Sequence, residues 1–536
     1  MSTCSTASYS FLKTKLRDCC ANHALCAVAD SGFIPTRVLE IADATMIRLI
    51  RGSSATGRYA TLSHCWGQAQ IARLLASNQA DLERGIALAT LPATFQQAIS
   101  VTRFLEIPYL WIDSLCIVQD SAADWEVESA AMADVYGHAL VNIAAASSTD
   151  ASGGLFFDRD PAVVQPFTAY TPGSGTLAEG WYTWEDNSRW YRIGEEPLHR
   201  RGWVLQERLL SSRTIHFTSS EIVWHCLQDV GSESIPTCIL PVGTARSPGQ
   251  MQDYSDIRIT MAEMRQVRGI TPERRARLSM NWELLITQYT RCRLTRGEDK
   301  LVAIFGIIDL IEQLTGDRCL AGMWRSQMPE CLLWLVNWGL EDPNGQTAAP
   351  ALMAPRQPRR WRAPSWSWAS HDWPVGHICY GGGSLCYAET VGAAVVRRQN
   401  GSAVSATLRL RGPVVHVAIG GLVYGQIASG PRRATVLSVP VECLIRTDGP
   451  YDSTCQPRAL LVMQDWAYFF LLIVPADPAE AEPSVFRRVG VLVMLTEPEG
   501  SKPPEGSGSD TFTLLSPSRE GGLLRWRRHT RLVELI

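Results

Sequence analysis

Three short stretches of this chain hold residue types that carry out chemistry. His64-Cys65-Trp66-Gly67 follows the β-prone run Arg58–Ser63. Asp113 follows the apolar run Tyr109–Ile112, with Cys116 three residues on. An imidazole, a carboxylate and a thiol are the parts of an activated nucleophile, in which a base draws the proton from sulfur. The third stretch runs from Arg201 through Gly202, Trp203 and Gln206 to Glu207 and Arg208. Glu207 suits a general base or a ribose-binding carboxylate. Glu128 adds a further acid: Trp125, Glu128, Met132 and Tyr136 share one helix face, and Glu128 is its single charge. A charge on such a stripe needs a partner or a purpose. The candidate catalytic residues are therefore His64, Asp113, Cys116, Glu128 and Glu207. The candidate substrate-binding residues are Trp66, Arg201, Trp203 and Gln206. Each has a structural alternative. Cys116 suits a small core position, Glu128 an ion pair with Arg201, and Glu207 an ion pair with Arg208, Arg213 or another nearby arginine.

These residues need a scaffold that brings them to one rim. Arg58–Ser63, Tyr109–Asp113 and Leu140–Ala146 read as strands, the last two buried on both faces. Between them lie two helical stretches, one opening at Leu91-Pro92 and ended by Pro108, the other spanning about Ser121 to Gly137. Strand alternating with helix is the rhythm of an open, mainly parallel sheet, which binds ligands beyond the carboxyl ends of its strands. Thr214–Phe217 and Glu221–Cys226 are further strands. Trp282–Thr290 and Lys300–Leu314 read as helices. From Arg360 onward the chain turns to short aliphatic runs separated by Gly and Pro, a β-rich region, and residues 496–512 read as a loop. The expected divisions are an N-terminal segment 1–57, a core 58–230, a helical extension 231–360 and a β-rich region 361–536. Trp366 and Trp368 stand at alternate positions and are expected to present one apolar face.

Bulk properties narrow the function. The chain has 536 residues, 46% hydrophobic and 19% charged, enough for large cores. A net charge of −3 leaves no basic stripe for phosphates, so nucleic acid is not an expected partner. No apolar run approaches a membrane span, Trp466–Val474 being the best and too short. No secretory leader is visible. The 15 cysteines then read as free thiols in a reducing, cytoplasmic setting. No Cys-x-x-Cys or His-x-x-x-His spacing occurs, so no metal is expected. The phosphate loop, the dinucleotide-binding glycine fingerprint and the Gly-x-Ser-x-Gly elbow are all missing, against an ATPase, a Rossmann dehydrogenase or an α/β-hydrolase.

Taken in order, the blocks resemble the fungal heterokaryon-incompatibility (HET) family. They are Tyr59–Gly67, Tyr109–Ile117 with Gln119, Asp120, Asp124, Trp125, Glu128, Met132 and Tyr136, and Arg201–Leu210. Gly154-Leu155-Phe156 with Arg159, Leu294-Thr295 with Asp299-Lys300-Leu301, and Ala363–Trp368 also fit. The likeness is closest over residues 58–226 and thins beyond about 370. It implies an intracellular fungal protein of non-self recognition and programmed cell death. It also implies a TIR- or flavodoxin-like sheet, since the family's fold is likened to TIR domains. Some of those cleave NAD at its glycosidic bond with a carboxylate. On that reading Glu128 or Glu207 does the work, NAD is a substrate, and no cofactor is needed. Two alternatives stand beside it. One is a stand-alone enzyme of secondary metabolism, with acid/base or thiol chemistry on a small molecule held between Trp66 and Trp203. The other is a non-catalytic interaction module that binds a protein partner or a second copy of itself.

Overall fold

Tyr59–Ser63, Tyr109–Ile112 and Val141–Ala144 are buried at every position, as strands covered on both faces must be. A computed structural model of the protein describes residues 2–27, 32–41, 43, 45–67, 72–159, 193–234, 236, 255–266, 271–336, 361–377, 385–419, 432–436, 439–447, 458–464, 467–477, 483–495 and 530–535. The expected loop at 496–512 lies outside them. The chain divides into two units: Met1–Asn281 with Cys292–Leu294 and Ala303–Leu310, and Trp282–Arg291 with Thr295–Val302 and Ile311–Ile536.

The first unit is built on β1 (Arg37–Glu40), β2 (Met46–Arg51), β3 (Tyr59–Ser63), β4 (Ile86–Ala87), β5 (Tyr109–Ile112), β6 (Val141–Ala144), β7 (Arg213–Phe217), β8 (Ile222–Cys226) and β9 (Val230–Ser232). They form one nine-stranded sheet in the order β4-β2-β1-β5-β3-β6-β7-β8-β9. Its centre, β5-β3-β6-β7, is parallel, and both flanks are antiparallel. The expectation of a mainly parallel sheet is corrected to a mixed one. The reason is local: β1 and β2, from the segment before residue 58, add as antiparallel neighbours, and β7, β8 and β9 follow one another through tight turns, which only antiparallel pairing permits.

The described helices of this unit include α1 (Thr6–Asn22), α2 (Gln79–Arg84), α3 (Ala93–Phe104), α4 (Asp113–Cys116), α5 (Ala122–Gly137) and α6 (Gly202–Leu210). Ser121 caps α5 by accepting the Asp124 N–H. α3 stops at Phe104, before Pro108, because Glu106 adopts a left-handed φ of 60°. Alternation along β3 turns Tyr59, Thr61 and Ser63 to the α5 face, where the Tyr59 hydroxyl donates to the Val135 carbonyl. Trp111 meets Tyr136 edge-on on that face.

In the second unit, short pairs come first: β10 (Cys319–Leu320) with β11 (Met323–Trp324), and β12 (Trp334–Val336) with β13 (Val375–His377). This last pairing crosses the division expected at 360. The expected face of Trp366 and Trp368 is not strand-borne. Both rings are fully buried around a short 3-10 turn, where Ser367 Oγ donates to the Ala321 carbonyl and Trp368 Nε1 to that of Gly322. The helices expected near 282–290 and 300–314 are Pro272–Tyr289 and Phe305–Thr315, of which residues 282–289 and 311–315 belong to this unit.

β14 (Leu385–Cys386), β15 (Glu389–Arg397), β16 (Ala403–Ile419), β17 (Arg432–Val436), β18 (Val439–Thr447), β19 (Arg458–Gln464), β20 (Ala467–Pro475), β21 (Val485–Leu495) and β22 (Thr530–Leu535) make the β-rich region. β16 pairs with β17 and β19, closing β16-β17-β18-β21-β20-β19 into a barrel. Leu460, Leu461, Phe469, Phe470 and Leu471 are fully buried there. Among the described residues no helix is long and apolar enough to cross a membrane.

Candidate functional site

The register sets Leu62 of β3 opposite Ile112 of β5, and Ser63 opposite Ala144 of β6. Because these strands are parallel, the residues just past their carboxyl ends all emerge at one rim. His64 and Asp113 are therefore brought together, as a single crossover through α3 predicts. The Asp113 carboxylate accepts Nε1 of Trp66 at 2.8 Å through Oδ2, and the Ser114 N–H at 2.7 Å through Oδ1. His64 Nδ1 lies 3.8 Å from Asp113 Oδ1. The imidazole is 2% exposed and packs edge-on against Phe95 of α3. Burial holds it down at about 4, against the pull of Asp113, so it is neutral near pH 7. Arg201 donates to the His64 carbonyl and so joins the third sequence block to the first.

Glu207 enters the same cluster from α6, on the face of the sheet that holds Ser63 and Tyr136. It is 5% exposed, and its Oε2 has no hydrogen-bonding partner among the described residues. Burial pushes its carboxyl up to about 7, opposed by the Arg201 guanidinium and the Ser63 and Tyr136 hydroxyls, with Asp113 adding to the rise. Of the nearby arginines expected to pair with it, the one whose charge acts on it is Arg201; Arg213 donates to Cys19 Sγ and to the carbonyls of Leu140 and Cys26. Asn142, on β6, exchanges hydrogen bonds with Ser63, the serine whose hydroxyl acts on Glu207.

Other candidates fall elsewhere. Cys116 has no exposed surface, and burial pushes its thiol up to about 12, so the geometry does not support a nucleophile there. Glu128 pairs with Arg37 of β1 at 3.4 Å, where an ion pair with Arg201 was expected. Gln206 is fully buried, its Oε1 accepting the Gly306 N–H at 2.7 Å. Trp203 is partly buried, edge-on to Trp125 with ring centroids 6.5 Å apart. Cys65 is buried with Ala144, Leu198 and Val204. Sequence reasoning missed Ser63 and Asn142 at the site. Their signal was present, since polar residues at the end of one buried strand and within another need each other as partners.

The turn after His64 depends on Gly67, which sits at φ +66°, where a Cβ would lie 2.3 Å from Asp150 Cβ. Gly67→Ala is expected to cost about 1–2 kcal/mol of stability, measured as a shift in the urea midpoint. An unchanged midpoint would show the turn to be freer than this geometry allows.

Residues 59–207 match the family model described as Heterokaryon incompatibility protein (HET). The chain carries a HET domain. The match begins at the first residue of β3 and ends on Glu207, so every member of the His64–Asp113–Glu207 cluster lies inside the HET domain. No curated protein and no solved structure matches the chain. The second unit lies outside the span of the HET match.

Proposed function

We propose that this is a fungal, intracellular heterokaryon-incompatibility protein whose HET domain cleaves the nicotinamide–ribose bond of NAD. The observation that carries the reading is Glu207: a buried carboxyl, raised to about 7, with one oxygen that has no hydrogen-bonding partner among the described residues, beside a tyrosine and a serine hydroxyl near the carboxyl ends of parallel strands. The parallel strands lie in the spatial order second, first, third, fourth. That is the order of flavodoxin-like sheets, which bind ligands where the order reverses. It supports the TIR likeness.

In this reading the glycosidic C–N bond breaks and its electron pair passes to the nicotinamide ring, which leaves neutral. Positive charge grows on the ribose, and the ionised Glu207 carboxylate stabilises it in a dry site where the interaction is strong. Water then adds to the anomeric carbon and gives its proton to solvent. The Ser63 and Tyr136 hydroxyls beside Glu207 favour its ionised form. Trp66, held by Asp113, offers an aromatic face, and Arg201 offers a cation for phosphate. Glu207 is 5% exposed, so turnover requires the rim to open.

Purified full-length protein given NAD is expected to release nicotinamide, followed by chromatography. Glu207→Gln is expected to lower the rate about 100-fold or more. The sign of the pH dependence is fixed: below about 7 Glu207 is protonated and inactive, so the rate climbs with pH and levels above it. NAD left intact by the wild type, or a variant as fast as the wild type, would end this reading.

A further inference from the structure

We propose that Cys19, His23, Cys26 and Cys226 bind a structural zinc ion. The expectation of no metal rested on ligands close in sequence, and here the fourth arrives from far along the chain. Cys19 lies in the last turn of α1, and His23 caps that helix through its N–H to the Cys19 carbonyl. Cys26 ends the 3-10 turn Ala24–Cys26, and Cys226 ends β8. Their four ligand atoms all lie within 4.8 Å of one another, with Cys226 Sγ 3.3 Å from His23 Nδ1. A tetrahedral zinc with Zn–S bonds of about 2.3 Å puts its sulfurs about 3.8 Å apart, so a modest contraction seats the ion. Four protein ligands leave no open position, which marks a structural site and not a catalytic one.

The surroundings are those of metal-bound thiolates. Arg213 Nε donates to Cys19 Sγ at 3.1 Å, and the Asp229 N–H donates to Cys226 Sγ at 3.2 Å. Arg213 Nη2 holds the Cys26 carbonyl at 2.9 Å. Zinc with three thiolates and a neutral imidazole carries one net negative charge. Arg213 is 2% exposed, and no carboxylate among the described residues pairs with it, so its charge is the complement the site needs. Lys15 of α1 pairs with Asp229 at 2.7 Å in the turn after Cys226. The ion would thus fasten α1 to the antiparallel edge of the HET-bearing sheet.

The full-length chain, purified under reducing conditions without added metal, is expected to contain about one zinc per molecule by mass spectrometry of the metal. The double variant Cys19→Ser/Cys226→Ser is expected to lose it, and Cys20→Ser, at an exposed neighbour, to keep it. Two measurements on the wild type remain decisive if the double variant does not fold. Exchange into cobalt is expected to give thiolate charge-transfer and tetrahedral d–d bands. Alkylation is expected to spare Cys19, Cys26 and Cys226 until a chelator is added, with a fall in unfolding midpoint on chelation. A metal-free wild type without those cobalt bands, zinc retained by the double variant, or a disulfide between any two of the three cysteines overturns the proposal.

Discussion

Arg37→Ala is expected to destabilise the first unit by about 3–5 kcal/mol, because it strips a buried ion pair of one partner. Arg37 reaches three groups from β1. Its Nε donates to the Cys116 carbonyl at 2.7 Å, and its Nη2 meets Asp124 at 2.5 Å and Glu128 at 3.4 Å. The Glu128 side chain is 2% exposed, and burial already raises its carboxyl above the usual range. Without Arg37 that carboxyl is held as a bare buried charge or must take up a proton. The loss should therefore be smaller at pH 5 than at pH 8, since protonation removes the charge where it costs most. Adding Glu128→Gln to Arg37→Ala should recover part of the loss. Urea unfolding of the single and double variants checks this. A cost below about 1 kcal/mol, or no recovery in the double variant, would mean that the pair only decorates the core.

Glu207→Gln acts in the opposite direction on stability. At pH 8 the variant is expected to be more stable than the wild type by about 1–3 kcal/mol, at about 1.4 kcal/mol for each unit by which the folded carboxyl is raised. The folded carboxyl titrates near 7, well above its ordinary range. Its stabilising contribution is fully present below the unfolded value of about 4.3 and is lost as pH rises through about 7. The advantage of the variant should therefore shrink steadily below pH 7 and vanish near pH 4.5. His64, depressed to about 4, titrates with the opposite sign over much of the same range, so the wild-type curve alone does not isolate Glu207. The difference between the two proteins does. A variant less stable than the wild type at pH 8 would show that the carboxylate is held by Arg201 more strongly than burial opposes it. A gain in stability with a loss of NAD cleavage would separate the catalytic role from a merely structural one.

The parts of this fold that were legible in sequence are those with an unambiguous local signature. Tyr109–Ile112 can only be a strand covered on both sides, and Ser121 to Gly137 carries its own start and stop. From these, one crossover rule was enough to place His64 beside Asp113. β1 and β2 escaped notice because Arg37–Glu40 and Met46–Arg51 mix charged with apolar positions and are short, so only their neighbours make them strands. The partner of Glu128 was missed for the same reason, since Arg37 sits 91 residues away along the chain. The proposed metal site illustrates the limit as well: Cys19, His23 and Cys26 lie close together in the chain, but Cys226 is 203 residues from His23, and no spacing rule spans that distance. Closure of the barrel likewise depends on β16 meeting β19, a pairing that local pattern cannot specify.

That closure has a consequence for how the second unit behaves among other proteins. An open sheet edge is a template on which a stray strand can add, and the barrel presents almost none. β22 lies between β16 and β21 and pairs with both. Among the described strands of this sheet, only β14 and β15 bond to a single neighbour. β14 is two residues long, and β15 is guarded at its ends by Glu389, paired with Arg411, and Arg397, paired with Glu312. A two-residue edge is a poor seed for cross-β recruitment, and at β15 a stray strand meets an ion pair at either end.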